Sequence, residues 1–216
     1  MTTTKSLSTR WAVLAIVLVA EVMDLVDGTI VNVAAPSIRA EIGGSDATMQ
    51  WLVAAYTLTF AVLLITGARL GDLIGRRRLF MIGIVGFTAA SALCAVAVSP
   101  GMLIATRAVQ GAFGAVLIPQ GFGMIKEVFD EHEITKAFAL FGPVMGLSAV
   151  AAPILGGALV DADLLGTGWR LIFLVNLPLG LLALWGALRV LPESRTPGAP
   201  TLDVPEPCSS RSRWGC

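Results

Sequence analysis

Charged side chains are scarce in this sequence. Asp, Glu, Lys and Arg make up 14% of its 216 residues and hydrophobic residues 56%, a balance that excludes an ordinary water-soluble domain. The 15 basic and 15 acidic residues cancel, so net charge does not indicate a nucleic-acid partner. The three cysteines, Cys94, Cys208 and Cys216, form no CxxC or Cys/His pattern. This argues against a metal site or a disulfide scaffold, and we predict no cofactor.

Long apolar runs are abundant instead. Each is close to the roughly 20 residues that a helix needs to cross a bilayer, and none alternates as the strands of a membrane barrel do. The sequence therefore predicts an all-α integral membrane domain, a six-helix bundle at residues 11–191. Residues 1–10 precede it, and the first run lacks a signal-peptidase-like site, so it should remain as a span. The predicted spans are about 11–34, 50–68, 79–98, 102–125, 137–160 and 169–191.

Basic residues predict the orientation of the chain. Of those near the ends of the spans, ten fall on one side of the predicted domain and two on the other. Because cytoplasmic loops carry the excess of Lys and Arg, we expect a multi-pass protein of the cell (plasma or inner) membrane with both termini in the cytoplasm. The inner side would carry Lys5, Arg10, Arg69, Arg76, Arg77, Arg78, Lys126, Lys136, Arg189 and Arg195, and the outer side Arg39 and Arg170.

Four ionisable residues fall inside the predicted membrane, where each costs about 2.5–3.5 kcal/mol at the bilayer centre. Glu21, Asp24 and Asp27 recur at steps of three in the first span and so form one stripe. Crowded carboxylates in a poorly solvated stripe cannot all stay ionised, so at least one should exchange protons near neutral pH. Arg107 in the fourth span lies at the depth of Asp27, roughly 9 Å below the outer surface.

We hypothesise that Arg107 pairs with Asp27 or its neighbours in one conformational state, and that protonation or substrate binding releases the pair. The alternative is a static pair with a structural role, and Glu21 alone could simply face water. A membrane-embedded enzyme is a second alternative, but no nucleophile, metal cluster or phosphate loop accompanies the acids, so no enzyme is predicted. A non-transporting helical scaffold or sensor is the third.

Residues 26–36 carry the first family motif. They read VDGTIVNVAAP, which resembles the LDxTIVNVALP signature of the fourteen-helix drug:proton antiporter branch of the major facilitator superfamily. Val26 and Ala35 replace leucines, and both changes keep the position apolar. The resemblance implies a superfamily N-terminal half with a 3+3 inverted repeat. It adds Asn32 to the candidates for the proton-coupling or substrate cavity.

The loop after the second span carries the next motif. Residues 67–78 read GARLGDLIGRRR and look like the superfamily's GxLaDrxGRrx. Glycines spaced by four permit close helix approach, and an aspartate at a helix start can bond backbone donors. In the family this loop holds the two halves together, which implies a gating role. The candidate gating residues are Gly67, Gly71, Asp72, Gly75, Arg76 and Arg77.

Two further segments extend the resemblance. Residues 107–115 (RAVQGAFGA) resemble RxxQGxGaA, whose arginine has a proton-coupling role in the family; this implies roles for Arg107 and Gln110. Residues 169–170 and 176–180 match the WRwiFxiNxPxG segment of the same branch. The fifth span resembles the antiporter motif ending in GPxxGG, and its candidate residues are Gly146, Pro153, Gly156 and Gly157.

The resemblance covers residues 11–205 but only the first six of fourteen helices. It implies proton-driven export of an amphipathic small molecule from a lipid membrane by alternating access, with the second wall of the cavity supplied by a second half or a homodimer. In the family, an LDxPG stretch leads into a seventh span, whereas LDVP at residues 202–205 precedes a polar sequence rich in Pro, Ser and Arg. We therefore expect residues 192–216 to be a disordered, aberrant cytoplasmic tail of a truncated or frameshifted chain.

Overall fold

The chain folds as a bundle of long helices. A computed structural model describes residues 7–163 and 166–191, and these ranges contain no β-strand. The all-α prediction is confirmed, while the predicted tail lies outside the described residues. The helices are α1 (Leu7–Ile42), α2 (Asp46–Ile74), α3 (Arg76–Ala95), α4 (Pro100–Val128), α5 (Glu131–Ala162), α6 (Leu171–Leu174) and α7 (Asn176–Val190), and a 3-10 turn at Gly168–Arg170 precedes α6.

Within the described residues, five helical segments are long and apolar enough to cross a membrane. They are α2, α3, α4, α5 and the segment Gly168–Val190, which contains α6 and α7. The 36-residue α1 is not among them, because Glu21, Asp24 and Asp27 interrupt its apolar sequence. Its neighbours enclose it nevertheless, so it completes the bundle as the sixth helix.

The helices differ in length from the predicted spans. Hydropathy marks only the apolar part of a helix, and α1 continues past residue 34 until Gly43 and Gly44, whose φ angles of 80° and 112° end it. The third helix instead ends at Ala95, before the predicted residue 98. A turn is needed there because the Ser99 side chain accepts a hydrogen bond from the Met102 backbone and starts α4.

Packing gathers the helices around α1 and α4. Helix α4 packs against α2 and α3, while α1 packs against α5 and α7. Each of these two groups therefore contains one helix from the other half of the chain. Because each half has three spans, the second half enters the membrane from the opposite side, as in an inverted repeat. Two apolar clusters result, one around Val17, Phe87 and Met124 and the other around Ile30, Leu103 and Trp169. The polar residues of α1 lie between them.

Ion pairs and hydrogen bonds tie the helix ends together on both sides. At one end, Arg10 contacts Asp130 at 2.7 Å and Glu133 at 2.8 Å. At the opposite end, the Trp169 ring nitrogen donates to Glu41 at 2.7 Å, and Arg170 forms an ion pair with the same carboxylate. The end that contains Arg10 also holds the arginines that follow α2, so the basic bias of the sequence coincides with one face of the bundle.

Candidate functional site

A buried ion pair lies between the two apolar clusters. Arg107 of α4 pairs with the Asp27 carboxylate of α1, and both side chains are 0% exposed. The pair is the one expected from the depths of the two residues. Gln110, one turn along α4, accepts from Arg107 at 2.8 Å and donates to Asp27 at 3.0 Å. Because a buried charge is costly unless it is paired and hydrogen-bonded, these contacts explain how the bundle tolerates it.

Asn176 completes the coordination of Asp27 from a third helix. Its side-chain amide, at the start of α7, donates to Asp27 at 2.6 Å and to Ser91 of α3 at 2.9 Å. Ser91 donates in turn to the Phe173 carbonyl at 2.9 Å. The Asp27 carboxylate therefore receives hydrogen bonds from Arg107, Gln110 and Asn176, and its place in the bundle is over-determined.

Asp24 has a different partner from Asp27. The Tyr56 hydroxyl of α2 donates to the Asp24 carboxylate at 2.6 Å, and both side chains are buried. The Arg107 guanidinium lies 4.2 Å from the centre of the Tyr56 ring. At Gly114 of α4, a Cβ would stand 2.4 Å from the Asp24 oxygen, so the absence of a side chain there makes room for this contact.

Glu21 and Asn32 stand apart from the ion pair. Glu21 is 4% exposed, and its Oε1 atom has no hydrogen-bond partner among the described residues; it is buried and does not face water. Asn32 is exposed and donates to the Thr29 carbonyl of its own helix at 3.2 Å. It lines a groove of about 520 Å³ between α1 and α2, together with Met49 and Gln50. The structure therefore brings together Asp27, Arg107 and Gln110, with Asp24 beside them.

The predicted gating loop is helical except at Gly75: residues 67–74 belong to α2 and residues 76–78 to α3. Gly67 and Gly71 face α4: a Cβ on Gly67 would stand 2.9 Å from the Ala115 carbonyl oxygen, and one on Gly71 would overlap Gln120. Close approach is thus present at two of the three glycines. Gly75 instead has a φ of 99°, a conformation that favours glycine, and it separates the two helices.

The charged residues of this loop pair with one another. Asp72 was expected to bond backbone donors at a helix start, which is wrong: α3 has no side-chain cap, and Asp72 accepts from Arg76 at 2.9 Å. Arg76 also contacts Glu127 of α4 at 3.3 Å. Arg77 donates to the Leu188 carbonyl of α7 at 3.4 Å. The loop is thereby tied to both α4 and α7 within this chain.

The glycines of the antiporter motif on α5 do not share one environment. At Gly156 a Cβ would stand 2.7 Å from the Ile30 side chain, so this glycine packs against α1. At Gly146 and Gly157 a Cβ would meet nothing within 4 Å. Pro153 lies inside α5 without ending it. Only part of the motif is therefore used inside the bundle.

Tyr56 and Asn176 donate hydrogen bonds to the acids of α1, and neither was among the sequence candidates. Tyr56 is the single tyrosine of the chain, yet nothing in its neighbourhood in the sequence pointed to Asp24. Asn176 was noted only as part of a family segment. A polar residue in an apolar span was the available signal in both cases. Within residues 7–163 and 166–191, no three His, Cys, Asp or Glu side chains are placed to hold a metal ion.

Relatives of the chain include a transporter, a resistance protein, and a resistance and export protein. It is 56% identical over 195 residues to the probable actinorhodin transporter of Streptomyces coelicolor, covering 90% of this chain and 34% of that protein. It is 43% identical over 198 residues to the puromycin resistance protein pur8 of Streptomyces alboniger, with 91% and 38% covered. It is 36% identical over 190 residues to the tetracenomycin C resistance and export protein of Streptomyces glaucescens, with 88% and 35% covered. The chain thus spans little more than a third of the length of these relatives.

The fold also matches solved transporters. A bacterial homologue of the human lysosomal transporter Spinster, in an inward-facing and unoccupied conformation, superposes with a TM-score of 0.74 at 21% identity, over 93% of this chain and 47% of that one. The family model of the Major Facilitator Superfamily matches residues 17–215. This chain therefore belongs to the Major Facilitator Superfamily, whose members are transporters and not enzymes.

Proposed function

We propose that the chain forms the N-terminal half of a proton-coupled exporter of amphipathic small molecules, and that Asp27 and Arg107 carry the coupling. It lies in the cell membrane with both termini in the cytoplasm. The observation that carries the proposal is the fully buried Asp27–Arg107 pair. Ionisable groups at membrane depth are functional by default, and this carboxylate is held by donors from two other helices. Protonation of Asp27 would release Arg107 and let the helices move apart.

Names of the relatives support export and a small-molecule substrate. Two of them are described by resistance or export of antibiotics, and the chain covers about a third of each. A second half, or a second copy of the chain, is needed to close a substrate cavity between two parallel repeats. The unused glycine positions on α5, Gly146 and Gly157, lie on a surface open to such a partner. We also propose that Asp72 and Arg76 contact this partner and act as gating residues.

The test is proton-driven efflux. The chain would be fused to the remaining length of the Streptomyces coelicolor relative and expressed in cells. In everted membrane vesicles prepared from these cells, acidification of the vesicle interior should drive uptake of an amphipathic dye. An uncoupler should abolish uptake, and Asp27→Asn should abolish it to the same extent. Asp46→Asn is the matched control, because this carboxylate is exposed at the start of α2.

Two outcomes would contradict the proposal. If Asp27→Asn keeps proton-driven uptake, the pair has a structural role only. If the fusion binds the dye but does not transport it under any gradient, the chain is a scaffold. Uptake by the unfused chain would identify the homodimer as the transporting form.

A further inference from the structure

We propose that Tyr56 is a positioning residue that couples Asp24 to the Arg107–Asp27 pair. Its hydroxyl holds the Asp24 carboxylate and its ring face holds the Arg107 guanidinium. One side chain thus contacts a carboxylate on α1 and a cation on α4, with its own backbone on α2. This proposal deepens the proposed function and rests on it, because it adds a second carboxylate that the exporter uses.

The contact with the Tyr56 ring keeps Arg107 in place when the ion pair between Arg107 and Asp27 breaks. A guanidinium over an aromatic face is held by the negative potential of the ring, and the attraction grows where water is excluded. Arg107 is fully buried and Tyr56 is 6% exposed. The Phe60 ring stacks on Tyr56 at 6.1 Å between centroids and an interplanar angle of 20°, which fixes the orientation of the ring. The Arg107 guanidinium can therefore lose its ion pair with Asp27 and remain against the Tyr56 ring.

The hydroxyl contact makes the ring respond to Asp24. A donor at 2.6 Å from a carboxylate oxygen forms a short, charge-assisted hydrogen bond. The charge of Asp24 polarises the hydroxyl and with it the ring, so an ionised Asp24 strengthens the hold on Arg107. When Asp24 takes up a proton, the attraction between the Tyr56 ring and Arg107 weakens, and Asp27 becomes the main partner of Arg107. Tyr56 therefore transmits the charge of one acid to the partner of the other.

The packing of α2 against α4 leaves room for Tyr56. The Tyr56 backbone carbonyl would stand 2.3 Å from a Cβ on Gly111, and its hydroxyl 3.1 Å from a Cβ on Gly114. Two glycines one turn apart on α4 thus leave room for Tyr56 together with Thr59, Phe60 and Asp24. The titratable and charged groups facing the contact are Glu21 and Asp27 on α1, Cys94 on α3 and Arg107 on α4.

The experiment measures the two carboxylates in the purified chain, without transport. Infrared difference spectra of the full 216-residue chain in lipid nanodiscs would be recorded against pH. The protonated carboxyl bands would be assigned by their loss in Asp24→Asn and in Asp27→Asn. In Tyr56→Phe, which keeps the ring, the Asp24 carboxyl band should move to higher frequency, because the carboxyl loses the hydrogen bond that the Tyr56 hydroxyl donates. Ser148→Ala removes a buried hydroxyl that donates to a carbonyl of its own helix and should move neither band.

Coupling is tested with a double-variant cycle. Asp24→Asn should move the Asp27 carboxyl band in the wild-type background, and this shift should be at least halved when Tyr56→Phe is also present. An unchanged Asp24 band in Tyr56→Phe, or equal shifts of the Asp27 band in both backgrounds, would overturn the proposal. If either result is found and Asp27→Asn still abolishes efflux, the exporter function stands and the role of Tyr56 does not. If both expected shifts are found but the fusion never transports, the role of Tyr56 stands and the exporter function does not.

Discussion

Replacing Asp27 with asparagine removes the counter-ion of Arg107 and hardly changes the size of the side chain. Both side chains are 0% exposed, so water cannot take the place of the lost charge. The new amide also places an NH₂ group where one carboxylate oxygen stood, so this group faces either the Arg107 guanidinium or the amide donors of Gln110 and Asn176. Breaking a buried pair by removing one partner costs about 3–5 kcal/mol. We expect Asp27→Asn to lower the free energy of unfolding by that amount, a factor of roughly 10² to 10⁴ in the equilibrium constant.

A double variant separates the missing charge from the missing side chain. Asp27→Asn with Arg107→Gln leaves two neutral amides, and replacing a whole buried pair is often nearly neutral. We expect it to recover most of the lost stability, measured by denaturant unfolding in micelles with the five tryptophans as the fluorescence probe. Asp46→Asn is the exposed control and should change stability by less than about 1 kcal/mol. A double variant as unstable as Asp27→Asn would refute the reasoning.

Two further predictions concern packing and orientation. Gly111→Ala should lower the free energy of unfolding by about 1–3 kcal/mol, because the new Cβ meets a backbone carbonyl of α2 at 2.3 Å; Gly142→Ala, whose Cβ meets nothing within 4 Å, is the control, and equal loss in both would contradict the packing argument. In a variant without native cysteines, Ser45→Cys should react with an impermeant thiol reagent added outside the cell, while Glu131→Cys should react only after permeabilisation. The reverse pattern would invert the proposed topology.

The helices, and the depths of Asp27 and Arg107 along them, were predictable from local properties of the sequence. A bilayer sets the length of an apolar run, and the rise of a helix sets the depth of each residue along it. Matching depths and opposite charges on α1 and α4 therefore favoured a pair between Arg107 and Asp27 or its neighbours, and only the structure selects Asp27. Asp72 was assigned wrongly because an aspartate near a helix end has two available partners, backbone donors and a neighbouring arginine. Only the side-chain geometry selects Arg76.

The sequence by itself determined the class of the molecule, the positions of its apolar helices and the acidic stripe on α1, because these depend on hydropathy and on the period of one helix. Only the tertiary structure decided how that stripe is divided. Asp27 meets Arg107 and Asn176, Asp24 meets Tyr56, and Glu21 has no partner for its Oε1 atom among the described residues. Residues far apart in the chain come together by helix packing, which no local pattern encodes. The different environments of these three acids therefore arise from α2, α4 and α7 and not from α1 itself.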